Sequence, residues 1–202
     1  VPRVAAEDDR GSGATRVSVY APDREGLFYR ICAGLASAGA SIIDARIHTT
    51  KDGMALDNLL VLDSRGQPYA DRRLRKRLIA SVEAALVRDD APPLPSAGGA
   101  RSKVRAFDVA PSVTIADRAS TRTTVVEVNA RDRPALLAAL AAAIHREGHQ
   151  IHSAHIATYG ERAVDVFYLT DANGRKLDEA RVEALKSALL LAATDPARAE
   201  AA

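Results

Sequence analysis

The strongest constraint on this chain is that most of it is written twice. With Val17 laid on Val126 the register holds for a long way: Val19 meets Val128, Ala21 meets Ala130, Asp23 meets Asp132, Arg24 meets Arg133 and Leu27 meets Leu136. Gly39 then meets Gly148, Ile42 meets Ile151, and Ala45, Ile47 and Thr49 meet Ala154, Ile156 and Thr158. Past the turns "KDG" and "GE" the register slips by one residue, so that Asp57 meets Asp165, Asp63 meets Asp171 and Gly66 meets Gly174. A structural repeat tolerates such a loss in a hairpin turn, because turns lie on the surface. One unit built twice is therefore expected.

Each unit reads as strand, helix, strand, strand, helix. In the first, residues 15–21 alternate with Val17 and Val19 on one face, and residues 41–50 alternate with Ile43, Ala45 and Ile47 opposite Asp44, Arg46 and His48. Residues 25–38 carry Leu27, Ile31 and Leu35 at helical spacing, with Gly39 as a stop. "KDG" is a hairpin turn before a third strand over 54–63. Leu74, Leu78, Val82 and Leu86 stripe a second helix over about 70–88. The counterparts in the second unit are 122–130, 134–147, 150–159, 162–171 and 177–193.

The fold class expected is α+β, as two tandem ferredoxin-like βαββαβ domains with antiparallel sheets and helices on one face. In that topology a fourth strand lies beside the first. The expected domains are 14–88 and 111–194, with a poorly ordered segment at 1–13, a Pro/Gly/Ser-rich linker at 89–103 and a tail at 195–202. Residues 104–109 are expected to close the first sheet and 113–117 the second.

Composition bounds the function. A net charge of +2 gives no global field to recruit nucleic acid or an anionic membrane. No apolar run approaches the roughly 20 residues of a membrane span, so no membrane partner is expected. Cys32 is the single cysteine, which excludes an internal disulfide and fits a reducing, cytoplasmic compartment. No signal peptide is visible and the first residue is not Met, which reads as a piece of a larger protein.

Two βαββα units with "DREGL" and "DRPAL" at the first strand-to-helix corner resemble ACT domains, small modules that bind amino acids and related metabolites. "DARIHTT", "DGMALD" and "SAHIATYGERAVDVFYLTD" narrow the resemblance to the tandem ACT region of the bacterial bifunctional PII uridylyltransferase/uridylyl-removing enzymes, over roughly residues 14–193. The resemblance implies a glutamine-sensing regulatory region in nitrogen metabolism. It implies a parent with a nucleotidyltransferase domain that modifies the PII signalling protein and a hydrolase domain that reverses the modification, both using Mg or another divalent metal. No cofactor or catalytic residue is expected in this chain: it has no His-Asp dipeptide, and "GSG" at 11–13 lacks the Asp-x-Asp of a nucleotidyltransferase. The alternatives from other classes are an ACT module that only mediates self-association, and the ACT tail of another amino-acid-regulated enzyme. Partners implied are an amino acid, the parent's catalytic domains, PII as the parent's substrate, and ACT–ACT pairing within or between chains.

The corner has chemistry of its own. A helix N-terminus offers unpaired N–H groups and partial positive charge, a receptor for a free carboxylate. Asp23 and Asp132 cap the first turn or hold a ligand's ammonium; Gly26 lets a ligand approach the backbone; Pro134 fits the first helical turn. Arg24, Glu25 and Leu27, with Arg133, Ala135 and Leu136, complete the two corners. The resemblance places the opposite wall at the start of the second strand, often from a neighbouring module: Ser41 and Ile42, and Gln150 and Ile151. Gln150 or Ser41 can pair with a side-chain amide. Ala135 stands where the family usually has Gly, and its Cβ crowds the second site, so the first corner is the expected site.

Two further features have plain readings. His145, His149, His152 and His155 lie close in sequence, but a metal needs convergence on one point, and alternation sends His152 and His155 to opposite faces. They read as solvated or interface histidines rather than ligands. The basic run "DRRLRKRL" keeps Leu74 and Leu78 on the apolar stripe and reads as a solvated face rather than a nucleic-acid patch. The base-stacking aromatics of an RNA-binding sheet are missing from the first unit's "LDNLLVLD".

Overall fold

The computed structural model describes residues 2–50, 52–88, 109–116 and 119–194. The first module comprises β1 (Arg3–Asp9), β2 (Ala14–Pro22), α1 (Leu27–Ser37), β3 (Ser41–Arg46), β4 (Met54–Leu62) and α2 (Arg72–Val87). The second comprises β5 (Ser112–Ile115), β6 (Thr124–Arg131), α3 (Leu136–Arg146), β7 (Gln150–Tyr159), β8 (Arg162–Thr170) and α4 (Glu179–Ala193). Each forms an antiparallel four-stranded sheet, ordered β1-β2-β4-β3 and β5-β6-β8-β7. These are two ferredoxin-like modules, each with its outer strand supplied from before the unit.

The repeat persists in the hydrogen bonds. Thr15 Oγ1 accepts from Tyr69 N at 2.8 Å, and Thr124 Oγ1 accepts from Leu177 N at 2.9 Å. Asp63 and Asp171 each close the turn after the third strand of the unit, their Oδ1 atoms accepting from Arg65 and Gln67 N and from Asn173 and Arg175 N. An Asp side chain that binds the backbone two residues on mimics a turn and fixes it.

The N-terminal segment corrects one expectation. Residues 3–9 are not disordered: they form β1, which fills the outer slot beside β2 that 104–109 was expected to fill. Most of 104–109 and all of 89–103 and 195–202 lie outside the described residues. Val4 and Ala6 turn inward to the core, Arg16 pairs across the ladder with Glu7 and Asp9, and Arg75 of α2 reaches Asp8 at 3.4 Å. A strand at a sheet edge needs only a thin apolar face, which is why its polar composition read as disorder.

α1 and α3 are buried on almost every side, Leu27–Leu35 and Leu136–Ile144 being nearly continuous runs of buried residues. A helix apolar all round must have neighbours all round. Each packs on its own sheet, on the second helix of its module, and on the other. At the α1–α2 crossing a Cβ on Gly34 would stand 2.8 Å from Val82 Cα, so only glycine permits that approach. β3 also lies against β7, so the sheets meet edge to edge. The two modules share one core, and this side-by-side packing positions the site.

On α2, Leu78, Val82, Ala85 and Leu86 are buried, while Arg72, Arg73, Lys76 and Arg77 are exposed. β3 ends at Arg46, short of the expected 50, and a bulge falls between Ile42 and Asp44. β7 carries the same bulge between Ile151 and Ser153.

Candidate functional site

The four helices begin in two ways. Asp71 caps α2, its Oδ1 accepting from Arg73 N at 2.6 Å and Leu74 N at 3.0 Å, and Asp178 caps α4 through Arg181 N at 2.9 Å. α1 and α3 have no side-chain cap and are entered through left-handed residues, Gly26 at φ 72° and Ala135 at φ 59°. This corrects the capping role expected of Asp23 and Asp132, which lie too far before the first turn. Asp23 Oδ2 instead accepts from Thr49 Oγ1 at 3.0 Å. Pro134 likewise lies in the turn before α3, which starts at Leu136.

The arginines of the two corners are committed elsewhere. Arg24 donates to the Leu86 carbonyl at the end of α2, and Arg133 donates to the Ala192 carbonyl at the end of α4 at 2.6 Å. The last carbonyls of a helix lack partners and carry partial negative charge, so a guanidinium satisfies them well.

A cavity of 140 Å³ opens where the first corner meets the second module. Asp23, Arg24, Glu25, Gly26 and Leu27 line it from the first module, and Gln150 and Ile151 from the second. Phe28, Tyr29, Ile47, Thr49, Ala55 and Asp57 complete the first module's share, and Ala141, His145, His149 and His152 the second's. Of the expected site residues, those seven come together. Ser41, Ile42 and Asp132–Leu136 do not line this cavity. The volume is near the roughly 150 Å³ of an apolar cavity that accepts benzene, so the site suits one small metabolite.

Its chemistry is mixed. Gly26 lies against the His145 ring: a Cβ there would stand 3.0 Å from Cε1 and 3.1 Å from Nδ1. His145 stacks on Tyr29 with ring centroids 5.9 Å apart, and its Nδ1 lies 3.7 Å from Glu25 Oε1. His149 is buried with neither ring nitrogen bonded to protein, and burial lowers its pKa, leaving a neutral imidazole with one donor and one acceptor. His152 bonds Thr170 Oγ1 at 2.7 Å from within the β7 bulge. The extra residue there resets the alternation assumed for His152 and His155. Among the described residues no group of three or more His, Cys, Asp or Glu is arranged to hold a metal.

Asp57 was missed from sequence. It is 1% exposed, its Oδ1 has no partner, and burial, with Asp23 nearby, pushes its pKa up to about 7. Asp165 repeats it in the second module: buried, Oδ1 unpartnered, pushed up to about 7 by burial and then by Asp132. The available signal was the repeat itself, which sets an Asp inside an apolar strand twice. The histidines left a similar one, since the first unit has Ala36, Ala40 and Ile43 where the second has His145, His149 and His152.

No protein-family model matches the chain. Among solved structures, an aspartate kinase from Synechocystis aligns over 86% of this chain and 26% of that chain, at 17% identity and a TM-score of 0.49, too loosely to carry an argument. Sequence relatives are much nearer. A bifunctional uridylyltransferase/uridylyl-removing enzyme of Erythrobacter litoralis is 46% identical over 98% of this chain, and one of Novosphingobium aromaticivorans is 51% identical over 91%. One of Zymomonas mobilis is 46% identical over 92%. The chain spans 20 to 22% of the length of these relatives. With identities of this order over nine-tenths of the chain, the chain belongs to the family of the bifunctional uridylyltransferase/uridylyl-removing enzymes, as a region about a fifth of their length.

Proposed function

We propose that the cavity between the first corner and β7 is an amino-acid sensing site, that glutamine is its ligand, and that the chain is the regulatory region of a cytoplasmic enzyme that adds uridylyl groups to the PII signalling protein and removes them. The observation carrying this reading is that the uncapped N-terminus of α1 and the start of β7 from the other module line one metabolite-sized cavity. A free α-carboxylate suits the helix end, where N–H groups and the helix dipole favour an anion. Gln150 and the neutral His149 offer both donors and acceptors, the complement of a side-chain amide. Both modules supply walls, so a bound ligand stabilises the packing of α1 on α3 and of β3 on β7. That differential affinity is what shifts an equilibrium between arrangements of the pair. In the parent it would favour removal of the uridylyl group over its addition.

The test is titration calorimetry of this chain with glutamine and a panel of other amino acids. Selective binding of glutamine is expected, about tenfold or more weakened by Asp23→Ala and left within threefold by Asp132→Ala. No binding of any amino acid would overturn the reading, and equal losses in the two variants would contradict the placement at the first corner.

A further inference from the structure

The geometry points to Asp57 as the receptor for a primary ammonium group: the cavity takes molecules that set an alkylammonium against this carboxylate, with Asp23 beside it. This deepens the amino-acid reading above and rests on it for the identity of the ligand.

Asp57 sits in the middle of β4, opposite Val19 in the ladder, with the buried Leu59 and Ala55 on the same strand face. An acidic side chain is disfavoured there unless it is partnered. The His48 backbone N–H bonds the carboxyl, but its Oδ1 accepts nothing from the protein although the residue is 1% exposed, and the cavity lies against it. Asp23 is near enough for its charge to act on Asp57 and lines the same cavity. The lining carries three carboxyl groups, those of Asp23, Glu25 and Asp57, against one guanidinium, that of Arg24, which donates to the Leu86 carbonyl. His149 is held neutral by burial and supplies no charge. The cavity therefore has an excess of carboxyl groups and an unfilled buried acceptor.

An ammonium answers both features. It brings one positive charge and three donors, enough for Asp57 Oδ1, a carboxylate oxygen of Asp23 and a third acceptor. A neutral hydroxyl or amide would satisfy the acceptor and leave the acidic pair uncompensated. Asp165 serves as an internal control: the same residue type with the same unpartnered Oδ1 in the other module, but outside this cavity.

The experiment is calorimetry on the 202-residue chain and its D57N and D165N variants. The probes are glutamine, the amino-acid panel, the deaminated analogue of each amino acid that binds, and n-propylamine. Loss of one partner of a buried charge pair predicts at least about 30-fold weaker amino-acid binding to D57N and an equal loss for the deaminated analogue on the unaltered chain, with D165N unchanged. D57N binding within threefold of the parent chain, or the analogue binding as well as the amino acid, overturns the proposal and leaves the amino-acid reading standing. If no amino acid binds but propylamine binds the parent chain and not D57N, the ammonium site stands and the amino-acid reading falls. Silence from every probe overturns both. Should D57N fail to fold, the analogue on the unaltered chain decides.

Discussion

At the residue scale the two corners differ at two positions, Glu25 against Pro134 and Gly26 against Ala135, and the second difference sets the helix entry. Position 26 and its repeat, 135, enter their helices in the left-handed region, which glycine adopts freely and an L-residue at a cost of about 1–2 kcal/mol. The sequence reading gave Gly26 the job of admitting a ligand to the backbone. In the structure its first duties are the left-handed turn and the approach of His145. Ala135→Gly should therefore stabilise the chain by about 0.5–1 kcal/mol, since relief of strain outweighs the added freedom of the unfolded chain. Gly26→Ala should destabilise it by about 1–2 kcal/mol and displace His145. Urea unfolding of both variants decides; effects of the same sign would refute this account of the corner. The corner residues were legible because the repeat and the family motif both mark them. Asp57 was not, because nothing in a one-dimensional alternation shows which buried carboxyl keeps an oxygen without a partner.

At the scale of elements, each corner arginine ties the start of one helix to the end of the next. Arg24 links the loop before α1 to the last carbonyls of α2, and Arg133 does the same for α3 and α4. A charged donor on a half-buried carbonyl contributes about 1.5–3 kcal/mol. Arg24→Ala should lower stability by about 1–2 kcal/mol and raise hydrogen exchange most in the last turn of α2. Exchange unchanged there, with protection lost elsewhere, would count against the clamp. The repeated strands and helices were readable from their periods, and helix boundaries came within about two residues. β1 was not readable: Val4 and Ala6 are a faint apolar signal, and its stability comes from ladder bonds and from Arg16 and Arg75 on other elements. The alternation assumed for His152 and His155 failed for a related reason, since a bulge is invisible to it.

At the scale of the whole molecule, two modules pack α1 on α3 and β3 on β7, and a buried aspartate lies under each half. Folded, Asp57 and Asp165 hold their protons to about pH 7; unfolded, they release them near 3.8. The folded state thus binds more protons across that window, and these groups cost stability as pH rises from about 4 to about 7 and above. Asp171 acts oppositely: its bonds from the Arg175 and Asn173 backbone N–H groups hold it at about 2, and its contribution is lost only as pH falls below about 4. The D57N/D165N double variant should gain stability over the parent chain at pH 8 and not at pH 5. The gap should grow by at most about 1.4 kcal/mol per pH unit for each group within the window. A gap equal at both pH values, measured by urea unfolding, would contradict buried, protonated carboxyls.

The same whole-molecule packing carries the functional reading, because both modules line the cavity. Sequence alone left the arrangement of the pair open; the apolar girdle of α1 and α3 sets it side by side. The most direct measurement is a two-dimensional amide NMR titration with glutamine. The account predicts that Gly26 and Leu27 of one module and Gln150 and Ile151 of the other shift together along a single saturation curve. Shifts confined to one module, or centred on Ala135 and Leu136 with the first corner silent, would contradict it.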